Sequence, residues 1–332
     1  MVAAIAGLVL NAADADAEVT LKFQSSDPAG NPNFILQQGW AELVSDRTNG
    51  EVKIELLPVN SIVSHTETQN AIAAGILDGH ITDTSYFAGK DPAFGLIANP
   101  VGAWSSPQEM FDFMNDGGGN ELMNELLNPY GLQFIGATTP GLEAFVSAVP
   151  LNSVEDLKGV KMRAPEGLVQ QVFAAAGASP VNLPGSEVFT SLDKKVIEAA
   201  DYSVFSTNAA QGLHDVAPYP IYPGFHSMPL VEVSMNKDSW DSLSPDVQAA
   251  ISQTVAEFAQ SQVAALAEKD LEAVAAANSG GEVTVIDWPE EERAKFRTIA
   301  ASQWESVAGR SPNAQKVYDQ LTAYLKANGL IN

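Results

Sequence analysis

Cysteine is absent from the 332 residues, which removes thiol nucleophiles, disulfide scaffolds and cysteine-ligated metals from the chemistry available. Histidine is scarce. His65, His80, His214 and His226 are the four, and no two stand three or four positions apart, so no helical zinc pair exists. Basic residues are few as well: 17 Lys and Arg face 41 Asp and Glu, giving a formal net charge of −24. Such a surface repels nucleic acid and anionic lipid. It also repels free anions at long range, so an anion site has to be built locally. No apolar run approaches the ~20 residues needed to span a bilayer, so direct membrane insertion is not expected. The chain lacks H-E-x-x-H, G-x-S-x-G and G-x-x-x-x-G-K-[ST]. Gly117-Gly118-Gly119 follows a helical stretch rather than a strand, which reads as a loop and not a phosphate cradle.

What is present describes an ordinary globular protein, with 45% hydrophobic residues and a mean hydropathy of −0.01. The length suits about two domains of ~150 residues each. Ala3 to Leu10 form a short apolar run, followed by small residues spaced A-x-A from Ala13 to Ala17. That is the pattern of a cleaved export signal without its basic start, so residues 1–17 are read as a signal remnant and the protein as periplasmic.

Val19–Gln24 alternates like a strand, and Asp27–Pro32 turns. Asn33–Thr48 has helical periodicity, Val52–Leu56 alternates again, and Thr66–Leu77 reads as a helix. The rhythm recurs later. Val160–Ala164 is strand-like, Pro165 opens a helix to Ala176, and Val181–Leu183 is a strand. Pro184–Lys194 is helical and Ala200–Phe205 a further strand. Two such units predict an α/β protein with mostly parallel pairing and two lobes around a cleft. Ser244-Pro245-Asp246 is a helix start, and no Gly or Pro follows until Gly280. About 34 residues at ~1.5 Å each reach ~50 Å, which predicts a strut crossing both lobes.

Three stretches carry a resemblance: SVEDLKGVKMRAP (153–165), LPGSEVFTSLDKKVIEAADY (183–202) and GLHDVAPYPIYPGFH (212–226). With DGHITDTSYFAGKDPAF (78–94) and GGGNELMNELLNPYGLQFIG (117–136), the chain resembles the solute-binding proteins of tripartite ATP-independent periplasmic (TRAP) transporters. The branch it is most similar to binds α-keto acids and related monocarboxylates. The resemblance implies a two-lobed periplasmic binding protein, type II-like, with mixed sheets, a hinge and a long helix spanning both lobes. The expected division is 18–140 plus about 225–262 for lobe I, and 141–224 plus about 263–332 for lobe II. The implied ligand is a small organic acid, keto, hydroxy or related, and the implied partners are the TRAP membrane permease subunits.

The resemblance makes Arg163, which closes the D-L-K-G-x-K-x-R motif, the clamp on the ligand carboxylate. Its place at the carboxyl end of a strand agrees with where open α/β sheets bind ligands, and a guanidinium takes a carboxylate bidentately. Read without the motif, Arg163 fits a salt bridge in an acid-rich protein equally well. The branch carries Glu-Trp after its VIDAA-like strand; Asp201-Tyr202 stand there. Phe225 and His226 are expected in the pocket wall, and Tyr86 lies where the first lobe usually supplies an aromatic. The metal-using branch carries a Gln some twenty residues before the Arg. TTPGLEAFVS (138–147) has none, and Glu143 replaces it only by a shift of register. That departure counts against a ligand-bridging cation and leaves Asp201 as the candidate ligand for one. Asp27 replaces the family's aromatic after the first strand, so Asp27 and Asp201 are open to hydroxyls or an ammonium group, and the ligand to being a polyol or zwitterion. A sensor subunit is an alternative role. An acid–base enzyme built on Asp201 and a histidine is disfavoured by the missing motifs.

Overall fold

The computed structural model describes residues 18–331; the expected signal segment 1–17 lies outside the described residues. Among the described residues, nine strands form two sheets. β1 (Val19–Ser25), β2 (Val52–Leu57), β3 (Gly79–Asp83) and β4 (Leu132–Thr138) are followed by β5 (Ala144–Ser147), β6 (Lys161–Arg163), β7 (Ser179–Val181), β8 (Ala199–Ser203) and β9 (Val231–Asn236). The first sheet has the order β2-β1-β3-β9-β4 and the second β5-β8-β6-β7. β1 pairs in parallel with β2 and β3, whereas β9 runs antiparallel between β3 and β4. In the second sheet β6 is parallel to β7 and β8, and β5 is antiparallel to β8. Both sheets are therefore mixed. The chain leaves the first sheet after Thr138, builds the second, and returns at Val231.

The helix Pro32–Arg47 begins where Asn31 accepts the Asn33 amide and Pro32 occupies the first turn. It packs Trp40 and Val44 onto Phe23 and Ile81 of the sheet. The long helix runs from Pro245 to Gly280 without a break, capped by the Ser244 hydroxyl and closed by Gly281 in the left-handed region. Its 36 residues give ~54 Å at 1.5 Å per residue. Val247, Ile251, Val255 and Phe258 pack in the first lobe. Three turns later Asp270 accepts the Ser206 amide of the second lobe at 2.7 Å. One helix thus anchors both bodies, as its uninterrupted sequence predicts.

Shorter elements differ from expectation. The helix expected from Pro165 begins at Leu168, because Gly167 sits at φ +108°, which no helical residue adopts. The helix N-terminus expected directly after Arg163 therefore lies further along the chain. Thr66–Leu77 resolves into a 3₁₀ turn, His65–Glu67, and a helix, Thr68–Ala73. Pro184–Lys194 divides likewise into Gly185–Glu187 and Val188–Asp193. The strand expected at Val181–Leu183 is β7, two residues earlier, and Phe205 begins a helix rather than ending β8. Gly119 belongs to the helix Gly119–Leu127, with Gly118 at φ +85° making the turn before it.

Candidate ligand-binding site

The carboxyl ends of parallel strands from both sheets meet at one cavity, the place where open α/β sheets present loops to ligands. Asp27 follows β1 and Asp83 ends β3 on the first-lobe side, while Arg163 ends β6 and Tyr202 stands near the end of β8. With Tyr86 and Glu143 these residues line a cavity of about 60 Å³.

Arg163 is 3% exposed. Its Nε donates to the Leu183 carbonyl at 3.0 Å and its Nη1 to the Asp201 carbonyl at 2.6 Å. Two backbone carbonyls thus fix the guanidinium, and it takes part in none of the salt bridges among the described residues. Burial opposes its charge, but Tyr86, Asp201, Glu143 and Asp83 outweigh that, and its pKa rises. Tyr86 bears on the guanidinium from the first lobe, and its hydroxyl is held neutral by burial.

Behind Arg163 lies a buried acid cluster. The Asp201 carboxylate is paired with His226, Nε2 to Oδ1 at 3.0 Å. Burial alone would raise Asp201, but the His226 hydrogen bond and charge, with Glu143 and Arg163, bring it down to about 2. Glu143 goes the other way, pushed well up by burial and by Asp201, so it keeps its proton. Ser227 Oγ donates to Glu143 Oε2 at 2.5 Å. Ligand atoms of Glu143, Asp201 and His226 all lie within 4.8 Å of one another. Two crowded carboxyls, one forced to stay protonated, form a donor set that fits a cation.

The structure brings Arg163, Tyr202, Tyr86, Asp27 and Glu143 into one cavity. Asp201 and His226 sit behind that wall. Phe225 departs from the expected wall position: it stacks on Trp288 at 4.1 Å and lines a separate cavity of about 420 Å³ on the far side of His226. Trp288 comes from the C-terminal part of the chain and takes up the Phe225 ring that the P-G-F-H segment, read alone, offers to ligand. Sequence reasoning missed Asp83 and Gln262, both in the cavity wall. Gln262, 1% exposed on the long helix, leaves its Oε1 without a partner. It also missed His65, whose ring stands edge-on to Tyr86 at 4.6 Å and whose pKa is lowered by burial and by Arg163.

The model of bacterial extracellular solute-binding protein family 7 (DctP) matches residues 23–310. The chain belongs to this family. Among its relatives is the monocarboxylate 2-oxoacid-binding periplasmic protein of a Nostoc species, 26% identical over 311 residues, covering 93% of this chain and 84% of the relative. A TRAP periplasmic solute-binding protein from Rhodobacter sphaeroides, solved in an apo open state, is 67% identical over 94% of this chain and 99% of its own, with a TM-score of 0.78. One from Pseudoalteromonas atlantica with bound sodium and pyruvate is 23% identical over 94% and 95%, with a TM-score of 0.84. Family 7 is a class of solute-binding proteins rather than of enzymes. Among the described residues no helix is long and apolar enough to cross a membrane.

Proposed function

We propose that this family 7 protein captures a small organic acid by closing its two lobes, with Arg163 as the carboxylate clamp, and delivers it to TRAP permease subunits from the periplasm. The observation that carries the reading is the buried guanidinium at the cavity wall, held by two carbonyls yet in no described salt bridge despite 41 acids in the chain. The nearby acids hold Arg163 charged without pairing to it directly, and a ligand carboxylate can take its guanidinium bidentately. The cavity suits a small molecule, in line with the pyruvate of one structural neighbour and the 2-oxoacid binding of the Nostoc relative. The division of the chain into lobes follows the two sheets, with the crossings near residues 140 and 225 and the long helix as the connections between them. The chemistry is retention without turnover.

Glu143, Asp201 and His226 are the residues that would hold a cation beside the acid, as sodium accompanies pyruvate in the Pseudoalteromonas protein. Glu143 then stands in for the family's Gln, and a bound cation would remove the need for its proton.

A thermal-shift panel of keto acids, hydroxy acids, sugar acids and polyols tests the reading. A carboxylate that binds only the native state adds ~2.7 kcal/mol of stability at a hundredfold excess over Kd. Binding by polyols alone, with no carboxylate effect, would sink the assignment.

A further inference from the structure

The first-lobe wall of the cavity carries an excess of acceptors that a simple acid leaves unanswered. Asp27 and Asp83 both line the cavity. What they receive from the protein is neutral: Gln37 Nε2 donates to Asp27 Oδ2 at 2.9 Å, and the Ser85 amide donates to Asp83 Oδ1 at 2.8 Å. Neither takes part in any salt bridge among the described residues. Gln262, also in the wall and nearly fully buried, offers an unpartnered carbonyl oxygen. Arg163 is the one cation among the lining residues.

A monoanion bound to Arg163 would add a third negative charge beside two carboxylates in a closed, poorly hydrated space, with no further positive charge to answer them, which is unfavourable. A ligand carrying its own ammonium group removes that imbalance. It has three donors and no acceptor, matching a wall of two carboxylates and an amide oxygen. Resting on the carboxylate reading above, we propose that the ligand is a zwitterion, its carboxylate on Arg163 and its ammonium end toward Asp27, Asp83 and Gln262. The second charge pair makes the site selective: the nitrogen-free acid of the same shape is disfavoured by the acids on the first-lobe wall. Burial raises both aspartates to about 6, so at neutral pH they are ionised and available to an ammonium group.

The test is a binding panel on the whole protein, by thermal shift and then calorimetry. It pairs amino acids with nitrogen-free acids of matched size: alanine with pyruvate and propanoate, 3-aminopropanoate with propanoate, 4-aminobutanoate with butanoate, and proline with cyclopentanecarboxylate, which has the same ring size. Each is run in EDTA and in calcium chloride. The expected result is that the tightest binder carries nitrogen and exceeds its nitrogen-free partner by at least about tenfold, the scale of one charge-assisted hydrogen bond. Asp27→Asn and Asp83→Asn should each narrow that gap. A nitrogen-free acid as tightest binder overturns the proposal while the carboxylate clamp survives. Parity reached only in calcium also overturns it, because a metal then supplies the positive charge. A panel in which no amino acid binds overturns it too. Unchanged affinity of the best binder in Arg163→Lys identifies the other failure, that of the clamp itself. Circular dichroism on each variant separates lost binding from lost folding.

Discussion

Asn31 Nδ2, in the first lobe, donates a hydrogen bond at 3.3 Å to the hydroxyl of Tyr202 in the second, 171 positions away in sequence. Burial, with Asp27 nearby, raises the Tyr202 hydroxyl to about 12, so it remains protonated and able to accept this bond. Both residues line the cavity, so the contact joins the lobes across it. Asn31→Ala and Tyr202→Phe should each weaken ligand binding by a factor of about two to ten, the worth of one neutral hydrogen bond of ~0.5–1.5 kcal/mol. Their combination should cost little more than either alone. Calorimetry on the two single variants and the double variant measures this; additive losses would show that the pair does not act across the cleft.

Arg163→Lys should keep the positive charge and lose most of the affinity. Lysine cannot make the bonds from Nε and Nη1 to the Leu183 and Asp201 carbonyls while also presenting a fork to a carboxylate. A loss of at least about tenfold is expected, with the unliganded melting temperature changed far less. Affinity equal to the parent protein would remove Arg163 from the site.

Asp201 ties stability to acid. Its folded pKa of about 2 lies below the ordinary 3.8. The stabilisation is complete above about pH 4 and disappears as pH falls toward 2. Denaturant titrations across that interval should show the parent losing stability steeply and Asp201→Asn losing it less. Equal slopes would mean that the His226 pairing contributes nothing to folding.

Asp27 and Asp83 act with the opposite sign. Both have folded pKa values near 6 against 3.8 in the free side chain. The unliganded folded state therefore holds extra protons between those values, and its stability declines as pH rises from about 4 to 6. Asp27→Asn and Asp83→Asn should each flatten that decline and raise the melting temperature at pH 7. A melting temperature lowered by both substitutions would show that these acids are answered within the protein.

The parts of this architecture that sequence revealed are those written locally. Ser244-Pro245 starts the long helix, Gly281 ends it, and nothing between interrupts it. Arg163 stood out because no other arginine lies between Arg47 and Arg293, and because it closes a short alternating run. Asp83 did not stand out. Among 41 acids no local pattern marks the one whose strand ends at a cavity, since that depends on how β1, β3 and β9 are ordered. Gln262 was hidden for a related reason: one polar residue on the inner face of a helix looks like any other until the neighbouring lobe is in place. Phe225 was misplaced because its partner, Trp288, lies 63 residues downstream.

The continuous helix from Pro245 to Gly280 constrains how the molecule can breathe. A rod rooted in both halves does not let them swing as freely as two doors on a pin, so opening must bend the rod or slide one half along it. Spin labels at the two ends of the helix should therefore keep nearly constant separation through the cycle, while labels facing each other across the mouth report the full amplitude.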